Sequence, residues 1–252
     1  LSIGLASCIA LTLILFFALK NRLGVANASA IAASYGSVSA ITFVTAQGIL
    51  ENEGIHFSGY MVAVMALMEI PAILIAVYFY QKFSSKSKLS NRSSVKSIFS
   101  AKSVVLLLGG FAIGLSMNQS LWSGIAPVVQ DCFKGVLAFF LLDLGLIAQK
   151  QLREAWSFKV IAVPISLVTP LLFGTIGLFC GNWFGVSQGD QILMAVLIGS
   201  ASYIAAPAAV RASIPDANPS LYLALPLALT FPMNLVFGIP FYIELSKWMI
   251  KK

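Results

Sequence analysis

The chain consists of apolar stretches of about twenty residues that are separated by short polar segments. Eight such stretches lie at residues 1–19, 25–50, 58–82, 102–118, 132–149, 157–181, 190–211 and 219–246. Each is long enough to cross a bilayer as a helix, and none shows the alternation of a barrel strand. Only 10% of the 252 residues are charged and 59% are hydrophobic. The sequence therefore predicts an all-α integral membrane protein and excludes a soluble domain, a disordered chain and a disulfide-rich secreted module.

The basic residues predict how the chain is oriented in the membrane. Six of them lie between residues 82 and 102, in a segment rich in Ser and Lys that contains no acidic residue. The positive-inside rule places this segment in the cytoplasm, so the net charge of +7 is interpreted as a topology signal and not as nucleic-acid affinity. Short cytoplasmic loops are then expected at 20–24, 150–156 and 212–218, and external loops at 51–57, 119–131 and 182–189. Lys247 conflicts with this scheme, because the eighth span would end outside.

A short internal similarity predicts an inverted repeat. Ala-Ser-Tyr occurs at residues 33–35 and again at 201–203, each time in the middle of a predicted span that runs in the opposite direction from the other. The fourth and fifth spans then have no counterparts, so we expect two further helices before the chain and a five-plus-five transporter with ten spans. In this scheme residues 1–83 are the remainder of the first repeat, 84–101 are the basic cytoplasmic loop, and 102–252 are the second repeat.

Small, hydroxyl and proline residues weaken both of these spans near their centres. If each span breaks there, the exposed N–H groups of one half-helix favour an anion and the freed carbonyls favour a cation. The pattern predicts a site for a small anion that travels with Na⁺; close helix packing is the alternative. The candidate ligands are Ser34, Gly36, Ser37, Ser39, Ser200, Ser202 and Tyr203. Thr42 follows the first break, where its hydroxyl either lines the pathway or bonds back to the preceding turn.

Two acidic residues, Glu69 and Asp143, lie deep in predicted spans, where ionisable groups are costly and usually functional. Glu69 is interpreted as a Na⁺ ligand or a proton carrier. Asp143 is interpreted as a candidate coupling acid, or as a structural acid that is hydrogen-bonded or paired with a basic residue. The three cysteines and one histidine show no metal-ligand or nucleophile spacing, so we expect no metal site, no cofactor and no enzymatic activity.

Several segments resemble the sodium-dependent bicarbonate transport permeases. The segments that carry the resemblance are Arg211-Ala-Ser-Ile-Pro215-Asp-Ala-Asn218-Pro219-Ser220 with Ser200 and Ser202 before it, Gly36-Ser-Val-Ser39 with Thr42, Glu69-Ile-Pro71-Ala72, and Asp131-Cys-Phe133-Lys134-Gly135. The resemblance implies an inverted-repeat fold with crossed discontinuous helices, and a homotrimer in the bacterial inner membrane. It implies that Gly36, Ser39, Thr42, Ser200 and Ser202 are anion and Na⁺ site positions. The family pattern has Asp where this chain has Tyr203, which bears on the expected number of Na⁺ ions.

The resemblance also implies the activity, which is sodium-coupled symport of a small anion, most simply bicarbonate. Na⁺ would be the coupling ion, and a PII-like regulator on the cytoplasmic side is a further expected partner. Two alternatives stay open. The first is a proton-coupled carrier or Na⁺/H⁺ exchanger that uses Glu69 or Asp143. The second is a non-transporting membrane receptor or scaffold that works through the basic loop.

Overall fold

The computed structural model describes residues 1–84, 109–110, 112–155 and 159–250. The predicted basic loop 84–101 therefore lies, apart from Ser84, outside the described residues, as does most of the predicted span 102–118. Within the described ranges all regular secondary structure is helical. The helices are α1 (Ser2–Gly36), α2 (Ala40–Asn52), α3 (Met61–Phe83), α4 (Gln119–Ala126), α5 (Cys132–Ala155), α6 (Lys159–Val163), α7 (Thr169–Trp183), α8 (Gln188–Ile198), α9 (Ala205–Ser213), α10 (Phe231–Met233) and α11 (Ile239–Ile250).

Wider, π-helical turns carry the later helices past several prolines. Such turns begin at Pro127, between α4 and α5, at Pro164, between α6 and α7, and at Pro226, before α10. Proline lacks an N–H and its ring clashes with the preceding turn of an α-helix, so a wider turn relieves the clash. The helix consequently continues through these positions, and Ser220–Ile250 is one helical stretch of 31 residues.

Four of the described helical stretches are long and apolar enough to cross a bilayer: Ser2–Asn52, Met61–Phe83, Pro164–Trp183 and Ser220–Ile250. The first is 51 residues long, about twice the length that one crossing requires. Although α8 is shorter, every residue from Gly189 to Ile198 is buried, which places α8 at the centre of the helical bundle. The prediction of an all-helical membrane protein is thereby confirmed, while the count of eight spans and the inverted repeat stay predictions.

One predicted loop is a tight turn and another is wrong. At the cytoplasmic loop expected at 20–24 the chain turns back at Gly24, whose φ is 79°, because Gly36 beyond the turn lies against Thr12 before it. The external loop expected at 119–131 is helical and continuous with α5. There Asn118 caps α4 by accepting a hydrogen bond from the Leu121 N–H at 2.9 Å. The absence of basic residues from 119–131 therefore did not indicate a loop.

Contacts between distant segments define one end of the bundle. The Lys20 ammonium lies 5.3 Å from the centre of the Phe83 ring, which joins the turn within α1 to the end of α3. The Tyr80 hydroxyl donates to Asp216 at 3.2 Å and joins α3 to the segment that follows α9. This end therefore holds the segments 20–24 and 212–218, which the charge pattern assigned to the same side.

The opposite end holds the loop between α2 and α3, the start of α8 and the end of α11. The backbone N–H and the hydroxyl of Ser58 both donate to the Asp190 carboxylate at 2.7 Å. The Lys247 ammonium lies 3.4 Å from the Glu53 carboxylate. Lys247 thus lies beside the loop 51–57, where it pairs with an acidic residue. The predicted order of spans also places the end of the last span on the same side as this loop, although the positive charge of Lys247 had indicated the other side.

We expect Asp190→Ala to lower the free energy of unfolding by about 3 kcal/mol, because Asp190 is only 2% exposed and its loss leaves donors of Ser58 without their charged acceptor. The control is Glu53→Ala, since the ion pair of Glu53 with Lys247 is exposed to solvent and is expected to contribute little to stability. Thermal unfolding in detergent compares the two variants. Equal losses would contradict the role assigned to Asp190.

Candidate functional site

Both helices predicted to break are interrupted near their centres. α1 ends at Gly36 and α2 begins at Ala40, so residues 37–39 are not helical. α8 ends at Ile198 and α9 begins at Ala205, which leaves residues 199–204 outside the two helices. The positions of both interruptions agree with the prediction from the small and hydroxyl residues.

The two interruptions contact each other through direct hydrogen bonds. The Ser202 N–H donates to the Ser34 carbonyl at 2.7 Å, and the Ser39 N–H donates to the Ser200 hydroxyl at 2.9 Å. These bonds join residues that are more than 160 positions apart in the chain, and all four of the residues are buried. The interrupted helices therefore cross at their breaks, and each break supplies partners for backbone groups of the other.

Hydroxyl groups cap the two half-helices that begin at the crossing. The Ser39 hydroxyl accepts from the Thr42 N–H at 3.1 Å and from the Thr42 hydroxyl at 2.8 Å, which caps α2. The Ser202 hydroxyl accepts from the Ala206 N–H at 3.1 Å in the first turn of α9. Since helix N-termini carry partial positive charge, the crossing brings together two groups that favour an anion.

The half-helices that end at the crossing contribute carbonyl groups of opposite partial charge. The Ser200 hydroxyl donates to the Leu197 carbonyl at 2.9 Å, in the last turn of α8. The Asn234 amide donates to the Gly199 carbonyl at 2.9 Å, which joins the C-terminal helical stretch to the second break. Helix C-termini carry partial negative charge, so groups that favour a cation lie beside those that favour an anion.

Residues of the first break are also held by neighbouring helices. The Ser34 hydroxyl donates to the Tyr222 carbonyl at 2.9 Å, and the Ser37 hydroxyl donates to the Glu69 carbonyl at 2.9 Å. The second bond joins the break to α3 and brings the partly buried Glu69 to the edge of the crossing. Gly36 lies against Thr12 of α1 and leaves no room for a side chain.

The structure brings nine of the ten predicted site residues to the crossing and leaves one outside it. Tyr203 lies in the second break, where its ring packs against Phe231. Asp143 lies on α5 with an exposed side chain, one helical turn beyond Phe140, which packs against the cluster of Tyr203, Leu227 and Phe231. Asp143 is therefore adjacent to the site's outer packing layer and not among the groups that meet at the crossing.

Two structural features, one beside the site and one at an end of the bundle, were missed from the sequence. The Tyr35 hydroxyl and the Thr230 hydroxyl form a 2.9 Å hydrogen bond, and Thr230 also donates to the Ser166 carbonyl at 3.0 Å, so Thr230 links the first break to α6–α7 and the C-terminal helix. The buried Asp190 was overlooked as well. Its signal was present, since Ser187-x-x-Asp190 has the spacing of a helix-capping box.

The architecture defines a class of protein. Apolar helices long enough to cross a bilayer, together with two interrupted helices whose ends meet, are typical of secondary transporters. In the described residues no group of three or more His, Cys, Asp and Glu side chains is arranged to hold a metal ion.

The sequence identifies the family within this class. The chain belongs to the Na⁺-dependent bicarbonate transporter superfamily, whose sequence profile matches residues 1–247. No curated protein sequence matches the chain. The predicted family is confirmed. Membership identifies the chain as a multi-pass membrane transporter and not an enzyme, and the substrates of the family are Na⁺ and bicarbonate.

Proposed function

We propose that this protein is a sodium-coupled symporter that carries bicarbonate across the bacterial inner membrane. The observation that carries the proposal is the meeting of the two breaks, where the N-termini capped by Ser39 and Ser202 lie beside the carbonyl ends of α1 and α8. One arrangement thus provides groups of both signs for an anion and its co-transported cation.

The chemistry of the crossing supports coupling to a cation. Its hydrogen bonds are made by hydroxyl, amide and carbonyl groups, which stabilise an anion by dipoles and not by a full opposite charge. A bound Na⁺ would supply that charge in a medium of low dielectric constant. In this proposal Ser39, Thr42 and Ser202 face the anion, while carbonyls near Gly36 and Ser200, with Ser34, Ser37 and Glu69 alongside, face Na⁺.

The remaining features of the proposal follow from the family and not from the geometry. We propose that Na⁺ is the coupling ion and that no cofactor is required. The transporter would have ten helices in two inverted repeats, assemble as a homotrimer and move its crossed-helix core against a gate formed by the other helices. A PII-like protein would bind on the cytoplasmic side. Asp143 stays a candidate coupling acid, but it ranks below Glu69 because its side chain is exposed on α5.

Uptake by proteoliposomes that contain the full-length protein tests this function. A tenfold inward Na⁺ gradient supplies about 1.4 kcal/mol per ion, so electroneutral coupling to one Na⁺ accumulates labelled bicarbonate about tenfold. The pH is clamped on both sides, and an equal K⁺ gradient is the control. If the internal bicarbonate concentration only reaches the external one under the Na⁺ gradient, the proposal is contradicted.

The same vesicles distinguish the sodium-coupled symporter from the proton-coupled alternative. Glu69 is the acidic residue that would carry the proton in this alternative. It lies at the edge of the crossing, because its carbonyl accepts a hydrogen bond from Ser37 in the first break. Uptake that follows a proton gradient, ignores Na⁺ and is lost in Glu69→Gln would establish proton coupling. Under the sodium proposal we expect the wild-type rate to follow Na⁺ and to be indifferent to an imposed proton gradient. Normal folding with no flux of any small anion would favour the receptor or scaffold.

A further inference from the structure

Among the described residues, the buried hydroxyl group of Tyr203 has no hydrogen-bond partner. Tyr203 is only 5% exposed, and its hydroxyl lies close to those of Ser39 and Thr42 but forms no well-aligned hydrogen bond to a described residue. A buried hydroxyl without a partner is costly, and most such groups in folded proteins are satisfied. The missing partner of Tyr203 is therefore expected to be whatever occupies the crossing.

The hydrogen bonds around Tyr203 define what this occupant can be. The Ser39 oxygen accepts from the Thr42 N–H and from the Thr42 hydroxyl, so its own O–H remains free to donate. The Thr42 oxygen has already donated its hydrogen and remains free to accept. The Tyr203 hydroxyl can do both. The site thus presents two donors, two acceptors and the positive end of α2 to one small ligand.

The ring of Tyr203 is held in place by apolar contacts. Its centre lies 5.3 Å from that of Phe231, with the planes inclined at 56°, and the same cluster includes Leu227 and, packed against it, Ile41, Phe140 and Leu235. Phe140 belongs to α5, which lies outside the interrupted helices. The phenol is therefore positioned by apolar side chains of α5, of the C-terminal helical stretch and of the first turn of α2, and this packing holds its hydroxyl beside Ser39 and Thr42.

We propose that Tyr203 binds the transported anion through its hydroxyl and selects oxyanions that themselves carry an O–H group. Bicarbonate carries negatively charged oxygens that accept from Ser39 and Tyr203, and an O–H that donates to Tyr203 or Thr42. Formate and nitrate match only the two donors, so they leave the acceptors of the site unsatisfied. This inference rests on the proposed function, whose anion site it makes specific.

Tyr203→Phe tests the assignment, because it removes the hydroxyl and keeps the ring that packs against Phe231. We expect the half-saturating bicarbonate concentration at saturating Na⁺ to rise about 10- to 100-fold, as for the loss of a hydrogen bond to a charged group, with a maximal rate near that of the wild type. Inhibition by formate and nitrate is expected to weaken less, so that the preference for bicarbonate falls.

Tyr242→Phe is the matched control. Tyr242 is also buried, but its hydroxyl donates to the Pro170 carbonyl at 3.0 Å. Its loss is expected to lower the thermal stability without ligand and to leave the half-saturating bicarbonate concentration unchanged. Tyr203→Phe is expected to show the opposite pattern, since removing an unpartnered hydroxyl does not destabilise the unliganded protein. Unchanged bicarbonate affinity in a folded Tyr203→Phe variant would overturn the proposal, as would equal weakening for all three anions.

A binding measurement separates failure of this inference from failure of the proposed function. If the wild type shows no Na⁺-dependent bicarbonate flux, the proposed function fails. The role of Tyr203 is then decided by the rise in melting temperature that bicarbonate, formate or nitrate gives the purified protein in NaCl. A rise with bicarbonate that Tyr203→Phe loses would uphold the assignment. An equal rise in both proteins, or none in the wild type, would refute it.

Discussion

Gly36→Ala is expected to abolish uptake and to lower the melting temperature. A Cβ atom at this position would overlap the Thr12 hydroxyl and lie 2.9 Å from the Ala72 Cβ. Neither neighbour can yield easily, because Thr12 donates to the Cys8 carbonyl at 2.7 Å and the Cβ of Ala72 moves only with its backbone. Overpacking of this kind costs about 1–3 kcal/mol and is relieved by moving the chain, which displaces the adjoining break from its partners.

Gly48→Ala is the control for this substitution. Gly48 lies in α2, where an added Cβ would meet open space, so alanine is expected to be neutral or stabilising. Thr12→Ala combined with Gly36→Ala removes one of the two clashes and should recover part of the stability. Thermal unfolding and Na⁺-driven uptake are measured for each variant. Uptake by Gly36→Ala at the wild-type rate would show that the close approach of α1 and α3 is not needed for the site.

The breaks could be predicted because their cause is local. Ser, Gly and Pro weaken a helix within a few residues of their own position, so the sequence around Ser37 and around Ser200 carries the information for each interruption. The partners of each break could not be predicted in the same way. That the Ser202 N–H meets the Ser34 carbonyl depends on how whole helices pack, which no short segment encodes.

The acidic residues show a second limit of prediction. Hydropathy placed both Glu69 and Asp143 deep in spans, but it did not reveal which face of its helix each occupies. The structure brings Glu69 to the first break through its carbonyl and leaves Asp143 exposed on α5. Asp190, at the edge of a predicted span, is more fully buried than either, since Ser58 and Tyr60 from a distant loop cover it. Tertiary contacts, and not depth in the apolar stretch, decide these roles.

Ser200→Ala is expected to have the second large effect, because one hydroxyl satisfies two backbone groups at the crossing. It accepts from the Ser39 N–H at 2.9 Å and donates to the Leu197 carbonyl at 2.9 Å. Alanine leaves the buried Ser39 N–H without its partner, at a cost of about 1–3 kcal/mol, whereas the Leu197 carbonyl keeps the Ser200 N–H at 3.3 Å. The hydrogen bond that joins the start of α2 to the end of α8 is lost with it. We expect the melting temperature to fall by several degrees and Na⁺-driven uptake to fall below the detection limit.

Ser29→Ala isolates this effect from the general consequence of removing a buried hydroxyl. Ser29 lies in α1 and is fully buried, but its hydroxyl has no hydrogen-bond partner among the described residues. Its replacement removes a polar atom that contributes no bond, so stability is expected to stay the same or to rise slightly. A difference between the two variants therefore measures the bridging bonds of Ser200. If Ser200→Ala behaves like Ser29→Ala in both unfolding and uptake, the hydroxyl does not hold the two interrupted helices together.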